Sequence, residues 1–294
     1  MKIIDTTTFF EEKMMMEIRF NILDEFVDEF IVCEALFTHR GDRKKINFNP
    51  NDFPNFKNKI NHIVLEKEPE NIIKNIKDKN DFNIRLNSIK RIEAQRNFIY
   101  ETIKNFSDED WIIYSDNDEI PNLKTINFDK INNKILIFKQ KMFYYKFNLK
   151  NSNVEWFGSK ACKLKYLKSI NWLRNIKNKK YQFYRLDTLF SKNKYTDIKI
   201  HDEGGWHFTN LKTAEELYKK FIHDENHYDF DKSKIDLEEI KKMIDDRIVK
   251  YDHTKDKNSK EKFSDKRLVV VDDLELPSFI KTNREKYYNW FIKN

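Results

Sequence analysis

Glycine is nearly absent from this chain: Gly41, Gly158, Gly204 and Gly205 are the only four in 294 residues. Neither a G-x-G-x-x-G dinucleotide loop nor a G-x-x-x-x-G-K-[ST] phosphate loop can be built from those positions, which excludes the nicotinamide dehydrogenases and P-loop NTPases that depend on them. Ordinary turns fall to Asn and Asp, so each glycine is expected where backbone geometry or a close ligand demands it. The two cysteines, Cys33 and Cys162, supply neither a disulfide framework nor a zinc-ligand spacing. Cys33 lies in an apolar run, where a buried, unreactive thiol is expected. No uninterrupted apolar stretch approaches a membrane span, and Met1-Lys2-Ile3-Ile4-Asp5 meets charge before a signal-peptide core can form. The expectation is a soluble, cytoplasmic protein.

Nor is one sign of charge in large excess. The 56 Lys and Arg against 49 Asp and Glu leave +7, and the pI of about 9.0 suits attraction of phosphates. Acids and bases interleave in runs such as Lys255 to Arg267, the pattern of a solvated face rather than a nucleic-acid track. No specific nucleic-acid partner is expected. What the chain does hold is 36% charged and 15% aromatic residues, a dense polar surface over an aromatic-rich interior.

Hydrophobic spacing gives the order of elements. Met15, Ile18, Ile22 and Phe26 recur at helical spacing from Glu12 to Phe26, and Phe30-Ile31-Val32-Cys33 follows as the first buried strand. A partly apolar stretch, Ile60 to Leu65, precedes a helix expected from Pro69. Another helix is predicted from about Asn87 to Asn105, with Ile89, Ile92, Ile99 and Ile103 on one face. Trp111-Ile112-Ile113-Tyr114-Ser115 is apolar on both faces, as a strand inside a covered sheet should be. Shorter strands are predicted at Ile135 to Phe138, Met142 to Phe147 and Ala161 to Leu164, helices at Thr213 to His223 and Ile235 to Tyr251, a mobile loop at Asp252 to Arg267, and a last helix after Pro277. The fold class is α/β: a mostly parallel sheet flanked by helices, then a smaller antiparallel sheet and C-terminal helices. One domain spans 1–294, with a nucleotide-binding half to about residue 121 and an acceptor-side half from about 122.

Chemistry concentrates at the strand ends. Asp116-Asn117-Asp118-Glu119 follows the apolar strand directly, and ligands of open α/β sheets bind outside the carboxyl ends of strands. Two carboxylates one residue apart can offer oxygens to Mn²⁺ or Mg²⁺; the same residues can also form a turn or cap before Pro121. In Asp202-Glu203-Gly204-Gly205-Trp206-His207-Phe208, the paired glycines make a poor regular element and a good binding loop. There Trp206 can stack on a sugar, His207 can complete a metal shell, and Glu203 or Asp202 can take a proton from a hydroxyl. Arg96, in Gln95-Arg96-Asn97, can meet phosphate or a nucleoside. The loop holding Glu34, Thr38, His39, Gly41 and Lys44 leaves at the same edge. His223-Asp224-Glu225-Asn226-His227 resembles H-E-x-x-H zinc sites only superficially, since Asp stands second, and is read as a site-lining helix face.

Taken in order, these segments resemble glycosyltransferase family 17, the bisecting N-acetylglucosaminyltransferases. The likeness runs from Ile4-Asp5, Phe9, Glu12, Glu17 and Arg19 through Val27-Asp28 and Phe30, Glu34, Thr38, Gly41 and Lys44. It continues over Gln95-Arg96-Asn97, Ser115 to Pro121, Gly205 to Phe208 and His223 to Glu225. The resemblance implies a GT-A-like, Rossmann-type fold, a UDP-sugar donor, a glycan or glycoconjugate acceptor, a divalent cation (Mn²⁺ or Mg²⁺) and transfer with inversion. On it, Asp118 is the direct metal ligand with His207, Asp116 contacts metal through water or the ribose, and Glu34, Thr38, Lys44, Arg96, Asn97, Asp116 and Trp206 meet the donor. Glu203, then Asp202, serve as base. Thr6 replaces the cysteine of the family's first motif, and the animal relatives' membrane anchor and lumenal disulfides are absent. Two other readings share these residues: a carboxylate-metal phosphodiesterase or nuclease, and a basic nucleic-acid-binding module.

Overall fold

In the computed structural model residues 1–74, 81–182, 184–188, 190–225, 227–250 and 266–292 are described. The chain opens with β1 (Ile3–Phe9), α1 (Lys13–Leu23), β2 (Glu29–Ala35), β3 (Ile60–Leu65), α2 (Asp81–Ile103), β4 (Trp111–Asp116) and β5 (Glu119–Pro121). Next come β6 (Ile135–Phe138), β7 (Gln140–Tyr144), β8 (Leu149–Trp156), β9 (Lys160–Lys163), α3 (Ile170–Asn175), β10 (Ile198–His201) and β11 (Gly205–Thr209). The remainder forms α4 (Ala214–His223), α5 (His227–Ser233), α6 (Leu237–Asp245), β12 (Ile248–Val249), β13 (Lys266–Arg267), β14 (Val269–Val270) and α7 (Ser278–Thr282).

The larger sheet has seven strands in the order β10-β6-β9-β4-β1-β2-β3. All its pairings are parallel except those of β9, which runs against both β4 and β6. Alternation explains why both faces are covered. Phe30, Val32, Trp111 and Ile113 enter one core with Ile18 and Phe20 of α1. Ile31, Cys33, Ile112 and Tyr114 enter the other with Ile99 and Ile103 of α2 and Leu173 of α3. A five-stranded sheet, β14-β8-β7-β11-β5, is antiparallel except between β11 and β7. Strands from both predicted halves therefore build the larger sheet.

Several expectations are corrected. β1 precedes the strand taken as first; its apolar run is broken by Asp5 and three threonines, which hid it. No helix starts at Pro69 within the described residues, and α2 begins at Asp81. Of the loop predicted at 252–267, residues 252–265 lie outside the described residues, and Lys266 and Arg267 form β13. Gly205 opens strand β11 rather than a loop.

The acid inside β1 is matched. Arg19 of α1, with no exposed surface, donates Nε to Asp5 Oδ2 at 2.7 Å and Nη2 to Oδ1 at 2.5 Å. Its Nη1 donates to the Glu119 carbonyl at 2.6 Å, tying the central strand, the first helix and the acidic turn together. Arg19→Met would leave Asp5 as a buried, uncompensated carboxylate and is expected to cost about 3–5 kcal/mol of unfolding free energy. Urea denaturation measures this, and a loss below about 1 kcal/mol would show the pair to be dispensable.

Candidate active site

Outside the carboxyl ends of β1, β2 and β4 lies a cavity of about 300 Å³. Thr8, Phe9 and Phe10 end β1 there, and Ala35 and Phe37 leave β2; Arg96 and Gln95 approach from α2. The buried Gln95 amide donates to the carbonyls of Cys33 (2.9 Å) and Phe9 (3.4 Å), so one side chain fixes α2 against both strand ends. Asp116 to Glu119 form the acidic wall, with Trp156 and His207 beside them and Lys220, His223, Asp224 and Glu225 opposite. These last residues are delivered by α4, which starts with a reciprocal cap: Thr213 accepts from the Glu216 amide and Glu216 accepts from the Thr213 amide.

Asp116 is saturated. Its Oδ1 accepts from Tyr114 Oη (2.8 Å) and Arg96 Nη2 (3.2 Å), and its Oδ2 from Arg174 Nη2 (2.8 Å) and Nε (3.2 Å). Burial opposes its ionisation, but the guanidiniums of Arg174 and Arg96 prevail and hold the carboxyl far below the usual range. Asp116 thereby anchors the two arginines at the cavity wall. Glu119, beside the half-buried Asp116, is fully buried, accepting from Trp156 Nε1 (2.6 Å), Arg174 Nη2 (3.0 Å) and the Asp116 amide (3.0 Å). Burial outweighs Arg174 here and pushes its carboxyl above the ordinary value.

Asp118 and His207 are brought together by strand register. β5 pairs antiparallel with β11, setting His207 opposite Glu119, and the Phe208 amide donates to the Asp118 carbonyl at 2.8 Å. His207 Nε2 then lies 3.4 Å from Asp118 Oδ1, its ring packs on Trp156 at 4.7 Å, and its Nδ1 is buried without a hydrogen-bond partner. Among the described residues no group of three or more His, Cys, Asp or Glu is arranged to hold a metal ion. A carboxylate beside an imidazole is a two-donor set, which suits a divalent cation that takes its other ligands from substrate phosphates and water.

The remaining acids of the wall are paired. Glu12 accepts from Asn117 Nδ2 at 2.6 Å and lies 3.3 Å from Lys212; burial raises its carboxyl, but Lys212 and Lys220 bring it to about 2. Asp224 accepts from the Glu225 amide and lies 3.7 Å from His39; burial is again overcome, by His39 and Lys220, leaving it at about 2. Lys220 is surrounded by Asp118, Asp224, Glu12 and Asp116, whose charges outweigh its burial and raise it.

Of the sequence candidates, Lys44, Arg96, Asp116, Asp118 and His207 meet at the cavity. Glu34 stands behind Lys44, which it binds while accepting the amides of Asn47 and Phe48. Thr38 Oγ1 accepts the amides of Gly41 and Asp42 and closes a turn. Asn97 accepts the Asn171 amide and seats α3. Three readings are corrected. Trp206 faces away from His207, donating to the Glu275 carbonyl at 2.7 Å. Asp202 is 80% exposed and pairs with Lys139. Glu203 is exposed beside it, and neither lines the cavity. The glycine pair serves backbone packing instead of a ligand: a Cβ on Gly204 would meet the Lys139 backbone at 2.4 Å, and one on Gly205, at φ +115°, would meet Ile120 O at 2.2 Å. His223 and His227 belong to separate helices, α4 and α5, with Asn226 outside the described residues. Arg174, Trp156 and Lys220 carried no signal of their own, although the rare Gly158 marked the place: its missing Cβ makes room for the Glu119 carboxyl.

A mixed α/β sheet with a charged, carboxylate-walled cavity at its strand ends defines a protein built to bind a polar ligand at that edge. The chain belongs to glycosyltransferase family 17, whose model matches residues 1–289, and is a glycosyltransferase. No curated protein matches it. Among solved structures it is similar to HddC from Yersinia pseudotuberculosis, at 10% identity and a TM-score of 0.31 over 70% of this chain and 91% of that one. It is also similar to the same protein complexed with GMP-PN, at 11% identity and a TM-score of 0.34 over 78% and 100%. No described helix is long and apolar enough to cross a membrane.

Gly158→Ala tests how tightly the wall is built, because the new Cβ would lie 2.1 Å from the Glu119 carboxyl and 2.4 Å from Trp156 Nε1. A loss of about 1–3 kcal/mol in unfolding free energy is expected, and an unchanged melting temperature would mean that the wall yields.

Proposed function

We propose that this glycosyltransferase has the GT-A-type arrangement, takes its sugar from a UDP donor, and transfers it with inversion to a glycan or glycoconjugate hydroxyl. The observation that carries the donor site is Asp118 held 3.4 Å from His207 at the end of β4, with Lys44, Arg96 and Lys220 around the same cavity. Uridine and N-acetylglucosamine rest on the family likeness. Asp118 and His207 would hold a divalent cation, which when bound stabilises charge on the departing diphosphate. Lys44, Arg96 and Lys220 are the chain's own cations for that diphosphate, fixed beforehand by Glu34, Asp116 and the surrounding acids. The acceptor base is placed at Asp224 because it lines the cavity and its side-chain partner, His39 at 3.7 Å, is held less closely than the partners of Asp116, Glu119 and Glu12.

Two measurements test this. A thermal-shift series of UDP-, GDP- and TDP-sugars, with and without Mn²⁺, should show the largest stabilisation with UDP-sugar plus Mn²⁺, and Asp118→Ala should lose the metal-dependent part. Equal shifts for all nucleotides, or an unchanged response in the variant, would sink the donor reading. Asp224→Asn should lower kcat by about 10²–10⁴-fold while UDP affinity stays close to wild type; turnover within a few-fold of wild type would remove Asp224 from the role.

A further inference from the structure

A lysine in the middle of a sheet is expensive to bury, and Lys160 is 3% exposed. It opens β9 opposite Tyr114 of β4 and Ile137 of β6. Its ammonium ends on two backbone carbonyls, donating to those of Arg174 and Ile176 at 2.6 Å each. These carbonyls close α3, where the helix dipole is negative and the last oxygens lack amide partners. Arg174 sits in that same turn, with its guanidinium 2.8 Å from Asp116 and 3.0 Å from Glu119. Lys160 itself does not line the cavity.

We propose that Lys160 is a positioning residue for the donor site: it holds the closing carbonyls of α3, fixes Arg174 against Asp116 and Glu119, and strengthens binding of an anionic donor from behind the cavity wall. The inference deepens the donor reading and rests on it for its binding test. Burial, aided by the charge of Arg174, brings the ammonium down to about 7 against the attraction of Glu119 and Asp116, with Arg96 adding repulsion. Those four, from α3, β5, β4 and α2, are the charged groups facing it.

The sign of the stability change separates site from fold. Below about pH 7 the lysine is charged in folded and unfolded chains alike; between about 7 and the ordinary value of 10.5 only the unfolded chain keeps the proton. Folding stability therefore gains from this group as pH rises through that window. Weaker donor binding over the same range would report on the site and not on unfolding.

The first measurement needs no nucleotide. In protein labelled with ¹⁵N-arginine, the Arg174 Nε–H resonance, assigned by its loss in Arg174→Lys, should shift with a midpoint near pH 7 and stay flat in Lys160→Met. The second is the ratio of UDP affinities of wild type and Lys160→Met, which cancels titration of the ligand and of the histidines. Wild type should bind roughly three- to tenfold more tightly at pH 6, the worth of one nearby charge at protein-like dielectric, and the two should converge at pH 8.5. An Arg174 resonance that does not move in wild type, or moves equally in the variant, overturns the proposal, as does an affinity ratio that ignores pH. If Lys160→Met does not fold, the wild-type titration decides alone. If wild type binds no UDP at either pH, the donor reading fails, while the resonance still decides the coupling of Lys160 to Arg174.

Discussion

The bidentate pair of Arg19 with Asp5 is the constraint on which the site depends. Taking both charges out of water costs several kcal/mol each, and their attraction offsets this only when the geometry is close and every remaining donor is used. Here the spare Arg19 donor goes to the carbonyl of Glu119. The desolvated pair thus has a return beyond cohesion. It sets the height of the acidic turn against the central strand, and Glu119 in turn accepts the amide of Asp116 and supports its arginine.

From that anchor the charges nest outward. Asp116 holds Arg96 and Arg174, Glu34 holds Lys44, and Glu12 holds Asn117 between the two aspartates. These paired groups are therefore fixed before any ligand arrives, the condition under which dipoles and charges act without reorganising. The acids do not simply add up to a negative pocket. Most are paired with cations, Asp116 with Arg96 and Arg174 and Glu34 with Lys44, so that both signs of charge line the cavity while Asp118 and His207 stay paired with each other.

Local pattern made much of the fold legible. β4, β6, α4 and the helix after Pro277 fall where periodicity put them, because each is long enough or apolar enough for packing to follow spacing. β1 was invisible for a physical reason: its acid and threonines are tolerated in the centre of a sheet only because Arg19, remote in sequence, meets Asp5. The strand-end rule pointed to Asp118, and the segment around the paired glycines pointed to His207. It also picked Glu203 and Trp206, since neighbours of His207 in sequence look like neighbours in the site. Arg174, Lys220 and Lys160 left no local trace; they matter through contacts that the sheet and α3 create.

The pair Gly204-Gly205 shows why the error took the form it did. Glycines beside Trp and His suggested a loop open to a ligand, yet both are required where backbones touch, Gly204 against Lys139 and Gly205 against Ile120. The approach of Gly205 to Ile120 locks the register of β11 on β5. In a strand, successive side chains point to opposite faces, so a slip of one residue would exchange His207 for Trp206 or Phe208. The glycines thus contribute to the site without touching it: they make His207, and not the aromatic on either side, the residue that meets Asp118. A motif can carry function through register alone, and its chemistry then belongs to every second residue along it.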